Sequence, residues 1–189
     1  MAGTLVLSWL AVAMCPPAWL AELPTLALIH SVLREVPAGN LNGEFHGQPN
    51  HADFTHLQPG DIIVCHNGGG GYGYWTHAVL YVGQGQAVDA NDFVRGTELK
   101  AVHAYQNYDR VIVLRVAAPA RARKQAADDA LAAVGKPYDP FASLTDVHST
   151  YCSKLIWQVY RREGILLQQA RPWIVPDDLV RSPLVQPIP

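Results

Sequence analysis

The chain has 189 residues, 49% hydrophobic and 16% charged, which is enough for one sizeable core in an ordinary globular protein. A formal net charge of −2, with no block of basic residues, removes the electrostatic case for binding nucleic acid. The three cysteines, Cys15, Cys65 and Cys152, lack metal-like spacing and the eight histidines are scattered, so neither a disulfide framework nor a structural zinc site is expected.

Residues 5–14 are apolar except for Ser8, about the length of a signal-peptide core and too short to span a bilayer. No Lys or Arg precedes this run, the first being Arg34, and Val12-Ala13-Met14-Cys15 is a poor match to a lipoprotein cleavage site. Pro16-Pro17 would break a helix, and residues 18–33 resume a mainly apolar pattern interrupted by Pro24. Residues 1–45 therefore read as an apolar N-terminal extension, either a processed or membrane-associated segment or a buried helical one. If residues 1–15 act as a signal, the protein is exported or held in the cell envelope; otherwise it is cytoplasmic. Residues 46–189 read as one domain, with no internal repeat.

Residues 36–56 are polar and rich in Gly, Asn and His, which is loop composition. The spacing of His46, His51 and His56 fits no single helix face, and solvated loop histidines are expected rather than metal ligands. Gln58-Pro59-Gly60-Asp61 is a turn before the buried strand Ile62-Ile63-Val64. The glycine-rich residues 67–74 lack the Lys-Ser/Thr of a phosphate loop and open no helix; a loop over a cleft suits them better. Thr76-His77-Ala78-Val79-Leu80-Tyr81-Val82 is a second strand, Gly83-Gln84-Gly85 its turn, and Gln86-Ala87-Val88-Asp89-Ala90 starts a third. In such a hairpin Asp89 falls near His77 on one face, with Asn91 or Asp92 as alternatives if the register slips. Residues 108–116 hold another strand, residues 121–134 an Ala-rich helix, and Gly135-Lys136-Pro137 its stop. The proline-rich tail, residues 172–189, should wrap the surface with one short helix at residues 177–181.

Between that turn and the tail, Leu155, Ile156, Val159 and Tyr160 recur at helical spacing. Ser149 or Thr150 suits the helix cap, Arg161 and Arg162 the last turn, and Gly164 the end. Cys152 then lies in the first turn, where free amides and the helix dipole favour a thiolate. The plainer alternative is a small buried core cysteine. A thiol at a helix start, an imidazole on a strand and a carboxylate on the next strand are the parts of a Cys–His–Asp nucleophilic site. His66, His103 and His148 are rival bases, whereas Cys65, adjacent to His66 on a strand, points to the opposite face from it.

Five segments in order, Gln58-Pro59-Gly60-Asp61-Ile62-Ile63, Thr76-His77-Ala78-Val79-Leu80-Tyr81-Val82-Gly83, Val88-Asp89-Ala90, Gly135-Lys136-Pro137-Tyr138-Asp139 and Tyr151-Cys152-Ser153-Lys154-Leu155-Ile156-Trp157, resemble the NlpC/P60 superfamily in its circularly permuted, YiiX/YebB-like branch. The resemblance spans roughly residues 57–182. It implies an α+β, permuted papain-like fold, with an antiparallel sheet packed on the helix that carries the cysteine. It also implies Cys152 as nucleophile, His77 as base and Asp89 as the orienting residue. Tyr138, Trp75, Tyr74 and Tyr151 are the expected substrate-lining residues. The implied reaction is hydrolysis or transfer of an acyl group through a thioester, on an amide or peptide substrate of peptidoglycan type. That chemistry needs no metal or organic cofactor. The histidine strand also resembles that of lecithin:retinol acyltransferase-like proteins, so an acyl-lipid substrate is the second expectation. A catalytically silent binding module is the third.

Overall fold

The computed structural model describes residues 48–68, 72–169 and 172–189, together with Ile29 and Leu33. The expected signal or membrane-associated segment, Cys15 and His46 lie outside the described residues. Among those described, no helix is long and apolar enough to cross a membrane.

The strands are β1 (Ile62–His66), β2 (His77–Gly83), β3 (Gln86–Asp92), β4 (Gly96–Ala101), β5 (Arg110–Val116) and β6 (Val185–Ile188). The helices are α1 (Ala120–Leu131), α2 (Cys152–Arg162) and α3 (Pro176–Val180), and a 3-10 turn, Val102–Asn107, joins β4 to β5. The strands form one sheet in the order β4-β3-β2-β1-β5-β6, with every neighbouring pair antiparallel. This is an α+β architecture, as the sequence implied.

The apolar run Ile62-Ile63-Val64 is fully buried because β1 lies inside the sheet and both of its faces are covered. On one face Ile62, Val64, Ala78, Leu80, Val88 and Leu114 pack with Leu155, Ile156 and Val159 of α2 and Ala126 and Ala130 of α1. On the other, Ile63, Cys65, Val79 and Ala87 pack with Tyr105, Tyr108, Phe54 and Leu57. Each fully buried aliphatic side chain contributes about 1.5–3 kcal/mol. Two strands escape the sequence pattern. β4 carries Glu98 and Lys100 in place of an apolar run, and β6 contains Pro187, which is tolerated because β6 is an edge strand. The tail therefore extends the sheet as well as supplying α3, displaced by one residue from the expected 177–181.

Helix α2 is buried nearly all round, and its polar groups are matched. Ser153 Oγ donates to the carbonyl of Ile174 (2.7 Å), Lys154 Nζ to that of Ser149 (2.7 Å) and Trp157 Nε1 to that of Gln168 (2.8 Å). Its cap differs from expectation. The cap position is Tyr151, in extended conformation and without a side-chain bond; Ser149 Oγ is drawn to Asp146 instead. What fixes the entry is an extended bridge, in which the Thr150 amide donates to Pro137 O and the Asp139 amide to Thr150 O. At its other end α2 stops as expected, with Gly164 at φ +74° and its amide donating to Arg161 O.

The same Gly-Lys-Pro turn grips β4, since the Thr97 amide donates to Lys136 O and the Gly135 amide to Thr97 O, both at 2.8 Å. Gly96 sits at φ +74°, and a Cβ on it would lie 2.3 Å from Lys136 O, a backbone atom that cannot swing away. Gly96→Ala should therefore destabilise the protein by about 2–4 kcal/mol, against about 1 kcal/mol for Gly85→Ala, where φ is also positive but space is open. Urea unfolding of the two variants checks this; equal midpoints would mean that the close approach at Gly96 carries no cost.

Candidate active site

Cys152 opens α2 and His77 opens β2, so the two lie together where the sheet ends, and Cys152 is among the groups that raise the His77 pKa. Leu80 faces Val88 and Tyr81 faces Ala87 across the hairpin, which puts Asp89 on the same face of the sheet as His77. Nε2 of His77 approaches Oδ1 of Asp89 at 2.9 Å. The approach lies off the N–H direction, so the contact is chiefly an ion pair. With Nε2 turned to Asp89, Nδ1 is the ring nitrogen left for Cys152.

Asp89 is held from further directions. Tyr105 Oη donates to its Oδ2 at 3.1 Å, and Lys100 Nζ lies 3.3 Å from the same oxygen and 3.2 Å from Glu98 Oε1. Tyr108 stacks on the His77 ring, with centroids 6.1 Å apart and planes 14° from parallel. Cys65 is the ladder partner of His77 and fully buried, and burial pushes its thiol well above the ordinary range. Cys152, His77 and Asp89 are each 1–2% exposed.

Burial is the largest influence on His77 and would lower its pKa. The charge and hydrogen bond of Asp89, with Cys152, outweigh it and raise the value to about 9. Burial likewise opposes the charge on Asp89, but His77 and then Lys100 pull its carboxyl down to about 2. The pair is thus an imidazolium and a carboxylate at neutral pH.

Residues 49–174 match the family described as permuted papain-like amidase enzymes, YaeF/YiiX, C92 family. The chain belongs to this family. Among solved structures it is similar to the metalloprotein yiiX from Escherichia coli O157:H7, at 17% identity and a TM-score of 0.55, over 75% of this chain and 97% of that one. That likeness is one of fold. No curated protein matches the chain. That neighbour is described as a metalloprotein; among the described residues of this chain no three His, Cys, Asp or Glu side chains converge as a metal ion requires.

Within this permuted papain-like amidase, the other residues singled out from the sequence divide into two groups. Tyr138 and Tyr151 join Cys152, Tyr72, Ala142, Val175 and Trp173 in one cluster. Tyr74 and Trp75 group with His66 instead, which stacks on Tyr74 at 4.2 Å and meets Trp75 edge-on. Of the rivals for the third position, Asp92 is engaged elsewhere. Asp92 accepts from the Val94 and Arg95 amides and from Arg95 Nε at 2.7 Å, fastening the β3–β4 turn. His103 and His148 are exposed, as are the loop histidines His51 and His56, the latter 3.8 Å from Asp53. Tyr105, Tyr108 and Lys100 were not singled out from the sequence. The only available signal was position, since Lys100 lies on the strand paired with β3.

The raised His77 pKa and the lowered Asp89 pKa give opposite pH dependences. His77 contributes stability that is full below about 6.5 and fades as pH rises through about 9; Asp89 contributes stability that is full above about 3.8 and fades as pH falls through about 2. Thermal unfolding should therefore show wild-type midpoints falling between pH 6.5 and 9.5, and a shallower fall for His77→Gln. Parallel slopes in the two proteins would show that His77 is not a folded-state imidazolium.

Proposed function

We propose that the protein is a cysteine amidase or peptidase working through a thioester on Cys152, with His77 as base and acid and Asp89 as the residue that orients it. What supports this reading is a buried imidazole placed between Asp89, 2.9 Å from its Nε2, and Cys152, the first residue of a packed helix, which acts with Asp89 to raise its pKa. Cys152 Sγ attacks the acyl carbon as a thiolate, its proton resting on His77 Nδ1. The Cys152 amide precedes the intrahelical ladder, whose first bond runs from Leu155 N to Tyr151 O, and so is suited to bind the oxyanion. His77 then protonates the leaving amine, and the thioester is opened by water as the imidazole takes the water's proton. The proposed substrate is a peptide of cell-wall type, in keeping with the resemblance to the NlpC/P60 superfamily.

A second reading, acyl-lipid hydrolysis or transfer, is supported by the apolar and aromatic setting of the thiol. Phe93, 47% exposed, meets Tyr138 edge-on at 4.8 Å, and Phe141, 48% exposed, packs on Trp173 at 5.6 Å, so apolar surface continues outward from the Cys152 cluster. The thioester chemistry is the same.

The full chain should be incubated separately with muropeptides and with phospholipid vesicles, and the products weighed by mass spectrometry. Released amine from the peptide supports the first reading, and lysolipid or acylated acceptor the second. Cys152→Ala should abolish either, and Asp89→Asn should lower turnover by about 100- to 10,000-fold with the fold intact, because the amide selects the wrong tautomer. Limiting iodoacetamide at pH 6 should label Cys152 ahead of Cys65. Activity retained in Cys152→Ala would sink the enzyme mechanism, and an unlabelled, inactive Cys152 would leave a silent binding module.

A further inference from the structure

Asp89 has two oxygens, and only Oδ1 serves His77. Oδ2 is occupied from the other side by the Tyr105 hydroxyl at 3.1 Å and the Lys100 ammonium at 3.3 Å. Lys100 also lies 3.2 Å from Glu98, and Glu98 is the ladder partner of Asp89. Two carboxylates thus stand side by side on β3 and β4, with one cation between them. An orienting carboxylate needs neither arrangement to hold an imidazole; a hydroxyl donor alone would satisfy Oδ2.

We propose that Lys100 is a positioning residue that sets the upper pH limit of the Cys152–His77 pair by partly neutralising Asp89 and offsetting Glu98. The inference rests on His77 and Cys152 acting as a pair. The groups facing Asp89 are His77 on β2, Cys65 on β1, Glu98 and Lys100 on β4, Tyr105 and Tyr108 in and after the 3-10 turn, and, farther off, Tyr138. Cys65, Tyr105, Tyr108 and Tyr138 are held protonated by burial, so Glu98 and Lys100 are the groups of this set, besides His77, that alter the field at Asp89 through their charge. Burial would lower the Lys100 pKa, but Asp89 and Glu98 raise it, so the ammonium keeps its charge throughout the working range.

The sign follows from Coulomb's law. Removing the ammonium takes away a positive neighbour of Asp89 and leaves Glu98 offset by Arg95 alone, whose Nη1 lies 3.4 Å from Oε2, so the negative potential at His77 grows and the imidazolium is retained to higher pH. A unit charge a few ångströms from the carboxylate, partly screened, corresponds to a shift of about 0.5–1 pH unit.

The test uses the full chain as wild type, Lys100→Met, Lys100→Arg and the double variant Lys100→Met with Glu98→Gln. Two readouts are followed against pH: the rate of Cys152 alkylation by iodoacetamide and the His77 ring resonances by NMR. Lys100→Met should move the upper limb of both upward by about 0.5–1 unit, Lys100→Arg should leave it near the wild-type position, and the double variant should bring it back. Should Lys100→Met fail to fold, Lys100→Gln, which keeps a donor without the charge, carries the same expectation. An upper limb unmoved in Lys100→Met, with only a lower melting temperature, assigns Lys100 a structural role and overturns the inference. An equal shift in Lys100→Arg overturns it too, by showing that packing rather than charge moves the limb. If wild-type alkylation shows no limb that His77→Ala removes, the pairing of Cys152 with His77 fails first, and that outcome is separate from either result at Lys100.

Discussion

A carboxylate taken out of water costs several kcal/mol unless charged or polar partners replace its hydration, and Asp89 is 1% exposed. Its partners come from three places in the chain, His77 from β2, Lys100 from β4 and Tyr105 from the turn after it. That demand constrains the architecture around it. β3 must lie between β2 and β4, and the 3-10 turn must fold back over the sheet face that carries Asp89, as they do in the sheet order β4-β3-β2-β1-β5-β6. A buried ion pair is poor value as a source of stability, because apolar residues of similar size would pack there with little or no loss. Its place at the foot of a thiol on a helix start suits the catalytic role proposed for it.

The two faces of the sheet divide the work. One face packs on α1 and α2 and supplies the larger core, which fixes the helix axis. The other face presents Asp89 and the tyrosines, which fix the imidazole. Cys152 belongs to neither core; it projects from the helix end into its own cluster with Tyr72, Tyr151 and Val175. Residue order along the chain, His77, Asp89, Cys152, is therefore immaterial to the chemistry. A permuted chain reaches the same arrangement provided the helix start and the strand end are brought together. Here the segment that does so is the turn at Gly135-Lys136-Pro137, which bonds to β4 through Thr97 and to the entry of α2 through Thr150.

What could be read from the sequence were the features whose physical cause is local. Apolar runs marked β1, β2 and β5, the glycine turn marked the hairpin, and the spacing of Leu155, Ile156 and Val159 marked α2. The hairpin register followed, and with it the side of the sheet shared by His77 and Asp89. β4 and β6 were not legible because an edge strand owes its place to backbone pairing, and its side chains need not be apolar. The cap of α2 was misjudged for a related reason: Ser149 is claimed by Asp146, a contact that composition does not reveal. Lys100 and Tyr105 were hidden behind β4, since their relation to Asp89 exists only once that strand is paired. The aromatics next to His77 in sequence, Tyr74 and Trp75, turn to His66, while Tyr138, more distant in sequence, reaches the thiol's cluster.

The tyrosines near Cys152 surround it without competing for its proton. Tyr72 has a left-handed backbone, φ +77°, unusual for a residue other than glycine. It is held there by its buried ring, which stacks on Tyr151 at 6.1 Å and brings its hydroxyl 3.3 Å from that of Tyr138. Burial raises the pKa of all three phenols, so they remain neutral over any pH at which the protein works. The neighbouring thiol of Cys65 is kept neutral in the same way. Of the groups described around Cys152, His77 is then the one able to exchange a proton in that range, and its charge is set by Asp89 with no further base within the cluster. In the proposed reaction such a site would use one acid–base group for two proton transfers, first from the thiol to the leaving group and then from water to the thiolate. The neutral aromatic surround, low in dielectric, strengthens that single ion pair where a polar one would weaken it.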